Sequence, residues 1–330
     1  MDSSHEQKSA GEPGNQIQVR VQSLFAEIKG AVTAQDFVKA EALRDELLEV
    51  DTMALKEIIE SAELIEAAKL AGIDQEHLLL WKEFYDRLSP EETSLFYYSL
   101  KNTTVPAKTI LTRQGKLSDR LFLIEQGRLA AVFRKGKENY LVLQLGKGAF
   151  VGEETFFGMA ICTSSVITQA EATLKVLEKA ATFDWNEKAP GLYAKIEAFC
   201  HEYGQYEEAY DRKRQQENHF QRLTVQGQVS VDILSSTGKP TGHHFKAALE
   251  DISCSGACFF IKSSRKEGTR ALLGRPLKMI FSIKGKTKPV EFVAIGRVVK
   301  VKFHLENDYS VHVQFAKTLG QEKIDLLQAR

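Results

Sequence analysis

Two short segments hold residue types whose spacing suits anion recognition. The first is Asp251-Ile252-Ser253-Cys254-Ser255-Gly256, with Arg222 upstream of it. Arginine offers forked donors to a phosphate, a carboxylate accepts from N–H groups, and a hydroxyl reaches a phosphate or base edge. Glycine admits a backbone approach that a Cβ would block. The same letters also serve a plain architectural purpose, in which Asp and Ser satisfy the N–H groups of a tight turn and Gly takes a positive φ. The second segment is Gly152-Glu153 and the stretch that follows, which carries no Arg or Lys anywhere between Lys147 and Lys175. No metal-spaced His/Cys/Asp cluster, nucleophile elbow or Walker loop is found, so the chain is not expected to be an enzyme. Cys254-x-x-x-Cys258 falls across a turn and a strand and reads as packing, and no metal is expected.

Charge is unevenly placed around these segments. The 330 residues hold 44 Lys+Arg and 44 Asp+Glu. From Glu217 to Arg330 there are 18 basic against 10 acidic residues, a net of +8, which leaves −8 for residues 1–216. A basic C-terminal third suggests an anionic partner, while a solvated lysine-rich surface gives the same count. Hydrophobic residues make up 43% of the chain, enough for more than one core. The longest apolar runs, such as Ala257–Ile261, fall far short of the ~20 residues that span a bilayer. The start, Met1-Asp2-Ser3-Ser4-His5-Glu6, has no apolar h-region, and the cysteines Cys162, Cys200, Cys254 and Cys258 form no dense framework. A cytoplasmic setting is expected.

The elements that must position these residues follow from periodicity. Residues 1–15 are polar and read as a disordered tail. Residues 16–89 read as helices: Val19–Val32 and Ala34–Val50 at helical spacing, Met53–Ala71 capped by Asp51-Thr52 and ended by Gly72, and a helix from Asp74 to Leu88. Ser89-Pro90-Glu91-Glu92 starts another, expected to end near Asn102. Short strand-like runs then appear at Thr109–Thr112, Leu121–Ile124, Leu129–Phe133, Tyr140–Leu145, Val166–Thr168 and Leu174–Leu177, punctuated by glycines. Residues 190–216 return to a charged helix. Strands resume at Leu223–Ile233, Ala247–Ile252, Ala257–Ile261, Leu277–Ile283, Val290–Phe303 and Tyr309–Phe315, and Gln321–Gln328 closes as a short helix.

Three resemblances attach to these runs. Ala34-Gln35-Asp36-Phe37-Val38-Lys39-Ala40-Glu41-Ala42-Leu43-Arg44-Asp45-Glu46-Leu47 resembles a UVR-type helical hairpin over about 20–50, which implies a protein–protein contact element. A generic amphipathic hairpin accounts for the same letters. Next, Arg113-Gln114-Gly115, Asp119–Leu129 and Leu145–Glu153 together resemble a cyclic nucleotide-binding (cNMP) domain, from about Pro90 to Tyr203. In that family Gly-Glu opens a phosphate-binding cassette, which falls here on Gly152 and Glu153, the Glu accepting from a ribose hydroxyl. An Arg followed by a small residue then neutralises the cyclic phosphate. Here Thr163 takes that place, with Ser164 next. A hydroxyl cannot supply the charge-assisted bond, worth roughly 1.5–3 kcal/mol or about tenfold to over a hundredfold in affinity. The cassette therefore reads as degenerate toward cAMP and cGMP.

The third resemblance is to PilZ domains, over about 212–330. It rests on the DxSxxG motif at Asp251, Ser253 and Gly256, lying between two strands, and on Arg222 entering the first strand. The family implies cyclic di-GMP as ligand. Asp251 would then accept from guanine, Ser253 would reach a phosphate or base edge, and Gly256 would admit the ligand. The family's RxxxR pattern is half present: Arg222 fits the second position and Asn218 occupies the first. Arg212 or Arg214 could replace the missing donor.

The chain is thus expected to be multidomain α+β. Its parts would be a tail (1–15), a helical region (16–89), a cNMP-type β-roll or jelly roll (90–189), a helical connector (190–216) and a six-stranded antiparallel PilZ barrel (217–330). The leading expectation is a bacterial signalling receptor for cyclic di-GMP that acts on a protein partner through interdomain rearrangement, with the N-terminal helices as one contact surface. A ligand-independent scaffold or homo-oligomer, and a dual receptor that also takes cAMP or cGMP, remain as alternatives. β structure follows the roll where a helix-turn-helix would stand in a transcription factor, so DNA is not an expected partner.

Overall fold

The structure, a computed structural model, describes residues 13–135, 138–205, 209, 222–264, 266–284, 290–304, 308–320 and 322–324. The chain divides into two units, Met1–Tyr98 and Ser99–Arg330. The first is helical: α1 (Pro13–Thr33), α2 (Phe37–Val50), α3 (Leu55–Ala71), α4 (Gln75–Leu80), α5 (Lys82–Tyr85) and α6 (Pro90–Tyr98). One apolar stripe of α1, formed by Val21, Leu24, Ile28 and Val32, packs with Ala40 and Leu47 of α2 and Ile65 of α3. The caps set the boundaries. Asp36 accepts from the Lys39 amide at 3.1 Å and starts α2. Ser89 and Glu92 exchange bonds, the Ser89 amide donating to the Glu92 carboxylate at 2.7 Å and the Glu92 amide to the Ser89 hydroxyl at 3.2 Å. This reciprocal pair starts α6.

Four sequence expectations change in and after this unit. Helix α1 starts at Pro13, inside the tail expected over 1–15, while residues 1–12 lie outside the described residues. Asp51 ends α2 instead of opening α3; its carboxylate accepts from the Met53 amide at 2.8 Å, and α3 starts at Leu55. The helix expected from Asp74 to Leu88 is broken at Trp81 into α4 and α5. Helix α6 ends at Tyr98, not near Asn102, and Leu100–Val105 is a strand. The β-branched Thr103, Thr104 and Val105 favour that choice, and an antiparallel partner is at hand in Ala172–Glu178.

The second unit is an α+β assembly of a cNMP-type β-roll and a closed six-stranded barrel. The roll comprises β1 (Leu100–Val105), β2 (Ile110–Thr112), β3 (Arg120–Gln126), β4 (Leu129–Lys135), β5 (Glu138–Leu145), β6 (Phe150–Val151), β7 (Met159–Ala160), β8 (Ser165–Thr168) and β9 (Ala172–Glu178). Short α7 (Glu153–Phe157) lies between β6 and β7, and α8 (Trp185–Lys188) and α9 (Leu192–Tyr203) follow β9. Two four-stranded sheets, β1-β9-β3-β6 and β2-β8-β4-β5, enclose a core of Phe122, Ile124, Leu129, Val166, Leu174 and Val176. Helix α9 buries Leu192, Ile196, Phe199 and Cys200. The rest of the expected connector, apart from Gly204, Gln205 and Ala209, lies outside the described residues.

The barrel holds β10 (Leu223–Leu234), β11 (Pro240–Ser253), β12 (Gly256–Lys262), β13 (Pro276–Ile283), β14 (Val290–Phe303) and β15 (Asp308–Phe315), with a one-turn helix at Lys266–Arg270. All neighbours are antiparallel in the order β13-β10-β11-β12-β15-β14, and β13 pairing with β14 closes the ring. Strict alternation fills it: Leu277, Met279, Phe281 and Ile283 of β13 point inward, as do Val229 and Val231 of β10 and Val311 and Val313 of β15. The closing helix expected over 321–328 is described only at 322–324.

The two modules of this unit share a sheet. Strand β7 leaves the roll and pairs antiparallel with the second half of β14, Ala160 opposite Lys300 and Met159 opposite Val301. It occupies the edge of β14 beyond the residues that β13 covers.

Candidate functional site

Thr224 of β10 lies opposite Asp251 of β11, which brings Arg222, just before β10, beside that carboxylate. The Arg222 Nε donates to Asp251 Oδ1 at 2.9 Å. The arginine side chain is 40% exposed and the aspartate 23%, so the pair sits at a surface open to a ligand. From Asp251 a cross-strand row runs outward through Cys258 of β12, His312 of β15 and Lys300 of β14 to Ala160 of β7. A bulge between Leu249 and Asp251 places Glu250 next to the same row, and its carboxylate accepts from the Cys258 thiol at 3.2 Å. Burial, then the neighbouring carboxylates, push the Cys258 thiol up. Burial, with the Arg222, Lys300 and Lys302 cations, holds His312 down at about 4, so its imidazole is neutral near pH 7.

Ser253 and Gly256 have different work from Arg222 and Asp251. Ser253 is 2% exposed. Its hydroxyl donates to the Gly256 carbonyl at 3.3 Å and accepts from the Ser255 amide at 3.3 Å, closing the β11–β12 turn. Gly256 is not among the positive-φ residues. A Cβ there would stand 2.3 Å from the Val313 carbonyl oxygen, so the glycine admits β15. In the structure Ser253 serves the turn and Gly256 the close approach of β15. Arg212, Arg214 and Asn218 lie outside the described residues.

The cassette is likewise committed to the fold. Gly152 has φ +105°, and a Cβ there would meet the Arg120 carbonyl at 2.3 Å. Glu153 opens α7 close to Cys200 of α9; burial, then the Glu153 and Glu197 charges, push that thiol up. Ser164 is 2% exposed. Thr163, at the place of the family's arginine, donates its hydroxyl to the Glu154 carboxylate at 3.3 Å.

Thr163 and Arg222, far apart in sequence, line one cleft of about 660 Å³ between the roll and the barrel. Arg113, Lys116 and Arg134 enter from the roll and Arg297 from the barrel, with His312 and Gln314 on the barrel wall. No carboxylate is among the described residues that line it. Sequence reasoning missed Lys116, Arg134, Arg297 and His312, and saw in Arg113 only a framework residue. No spacing could reveal them, because β7 pairing with β14 is what brings them together. No group of three or more metal-ligating side chains is found among the described residues except Glu250, Asp251 and Cys258, and Asp251 in that group is bonded to Arg222.

Residues 102–185 match the family model of the cyclic nucleotide-binding domain. Similar solved structures include a cyclic nucleotide-binding domain from Methylobacillus flagellatus (19% identity, 43% of this chain and 84% of that one, TM-score 0.38). Another is the regulatory subunit of a cAMP-independent protein kinase A from Trypanosoma cruzi bound to guanosine (14% identity, 46% and 52%, TM-score 0.36). A third is the c-di-GMP responsive global regulator CLP of Xanthomonas campestris (15% identity, 39% and 64%, TM-score 0.34). No curated protein matches the chain. Among the described residues, no helix is long and apolar enough to cross a membrane.

Proposed function

We propose that this protein is a second-messenger receptor whose C-terminal barrel is a PilZ domain that binds cyclic di-GMP at the Arg222/Asp251 face. The observation that carries this reading is the Arg222 Nε–Asp251 Oδ1 bond of 2.9 Å at the edge of a cation-lined cleft. That bond uses one nitrogen of the guanidinium, and the other two have donors to give a phosphate or a guanine edge. A carboxylate such as that of Asp251 is the acceptor that the N1 and N2 hydrogens of guanine require. The position of the motif between β11 and β12, with Arg222 entering β10, supports the assignment.

The signal would travel along the row Asp251–Cys258–His312–Lys300–Ala160, which ends on β7 of the roll. A ligand that favours one seating of β7 on β14 would shift the roll against the barrel and so change the surface offered to a protein partner. The N-terminal helices are the proposed contact. The Thr163–Glu154 bond supports a roll that transmits and does not itself bind cAMP or cGMP.

A second reading is a ligand-independent scaffold, favoured by the structural use of Gly152, Ser253 and Gly256. Calorimetry separates the two. Cyclic di-GMP should bind the full-length protein at micromolar concentration, and Asp251→Ala and Arg222→Ala should each weaken it about tenfold or more. Absence of heat with the wild-type protein would remove the receptor reading and leave the scaffold. Cyclic AMP should give no heat in the same cell.

A further inference from the structure

We propose that the cleft is a composite polyanion site, in which Arg113 and Arg134 of the roll supply the phosphate donors that Asn218 does not. They would act with Arg222 and Arg297 of the barrel. This rests on the cyclic di-GMP reading and names the groups that hold the ligand's second phosphate.

Electrostatics is the first support. Three cations from the roll, Arg113, Lys116 and Arg134, and two from the barrel, Arg222 and Arg297, converge on one opening. Two carboxylates stand close by: Asp251 is ion-paired with Arg222, and Glu154 accepts from the Thr163 hydroxyl and keeps its charge. His312 on the barrel wall faces Arg222, Lys300 and Lys302, and after burial these cations are what hold its imidazole neutral. Five lining cations against these two carboxylates leave the cleft with an excess of positive charge, which focuses an anion.

Preorganisation is the second. The Gln114 side chain clamps the backbone of Arg134: its Oε1 accepts from the Arg134 amide at 2.7 Å and its Nε2 donates to the Arg134 carbonyl at 3.2 Å. The Gln114 amide itself donates to the Ser165 hydroxyl at 3.0 Å. Next to it, the Gly115 amide donates to the Cys162 carbonyl and the Cys162 amide to the Lys116 carbonyl, each at 2.8 Å. Arg113 and Arg134 are thus carried on one stapled corner of the roll. On the other wall Arg297 Nη1 donates to the Gly274 carbonyl at 2.8 Å, which fixes that guanidinium. Donors on rigid supports lose little freedom when they meet a ligand.

The chemical class follows from the two walls. A ligand with two separated negative charges can engage both at once, as a cyclic dinucleotide does with its two phosphates. A cyclic mononucleotide has one phosphate and can reach only one wall. The volume of about 660 Å³ is on the scale of a small-molecule site.

Calorimetry of the full-length protein with cyclic di-GMP tests this. Arg113→Ala and Arg134→Ala should each weaken binding about tenfold or more, and Gln114→Ala, which frees the corner without removing charge, by less. Wild-type binding that both arginine variants retain within about twofold would overturn the composite site and leave the ligand on the barrel alone. If the wild-type protein does not bind cyclic di-GMP, the receptor reading fails, and melting with inorganic pyrophosphate decides the cleft separately. A raised midpoint that is lost in the Arg113→Ala/Arg134→Ala double variant supports a composite anion site, and no shift in the wild type removes it.

Discussion

The amide of Ile161 donates to the carbonyl of Val299 at 2.9 Å, so the chain just after the cassette is bonded to the barrel through its main chain. Together with the β7–β14 pairing, this bond makes the segment that follows α7 one edge of the barrel's sheet. Ile161 itself is buried.

Ile161→Pro removes that donor and should destabilise the second unit by about 2–4 kcal/mol, from the lost bond together with the lost buried side chain. Chemical denaturation should show the midpoint falling. Small-angle scattering should show a larger radius of gyration as the roll and barrel separate. An unchanged radius would mean that the junction does not hold them.

Gly256→Ala tests the ring. The added Cβ would meet the Val313 carbonyl oxygen at 2.3 Å, a backbone atom that cannot swing aside as a side chain would. A loss of about 1–3 kcal/mol is expected. The conservative change Ser253→Ala should cost less, about 1 kcal/mol, because it removes turn hydrogen bonds without a clash.

Ser89→Ala breaks the reciprocal cap of α6 and should lower stability of the helical unit by about 1 kcal/mol, with Glu92→Ala similar. Thermal melts followed by far-ultraviolet circular dichroism would measure both.

His312 gives a pH signature. Its folded-state value is about 4 against an ordinary 6.5, burial being the main cause. Between those values the unfolded chain takes up a proton that the folded chain refuses, so stability falls as pH drops from about 6.5 toward 4 and levels off below. The contribution lost is up to about 3 kcal/mol. His312→Gln should flatten this part of the profile in urea titrations at pH 4.5, 5.5 and 7. Parallel curves for variant and wild type would refute the assignment.

Much of the architecture was legible because local signals agree with the final packing. The strands of the barrel announce themselves through alternation, as in Leu277, Met279, Phe281 and Ile283, and the sequence places the cores of all six. Ser89 and Glu92 announce a helix start by type and spacing. Asp51 misleads because an acidic residue serves equally at either end of a turn, and here it closes α2. Strand β1 hides because Leu100–Val105 alternates weakly and takes its structure from β9, more than 60 residues on. The site divides the same way. Arg222 and Asp251 could be picked from the motif, and they are bonded. Ser253 and Gly256 belong to the same motif but serve the turn and β15, a distinction that only the neighbouring strand reveals. Arg134 and Arg297 carry no local mark at all, since one pairing of two residues on each side decides what they face.

Lending β7 to the barrel also binds the two modules in manufacture. A fragment cut away at the end of α9 would bare the edge of β14 at Val299, Lys300 and Val301, the residues that β7 and Ile161 cover. Such a raw margin is a template for any passing extended chain, so the severed barrel should pair with copies of itself and come out of solution.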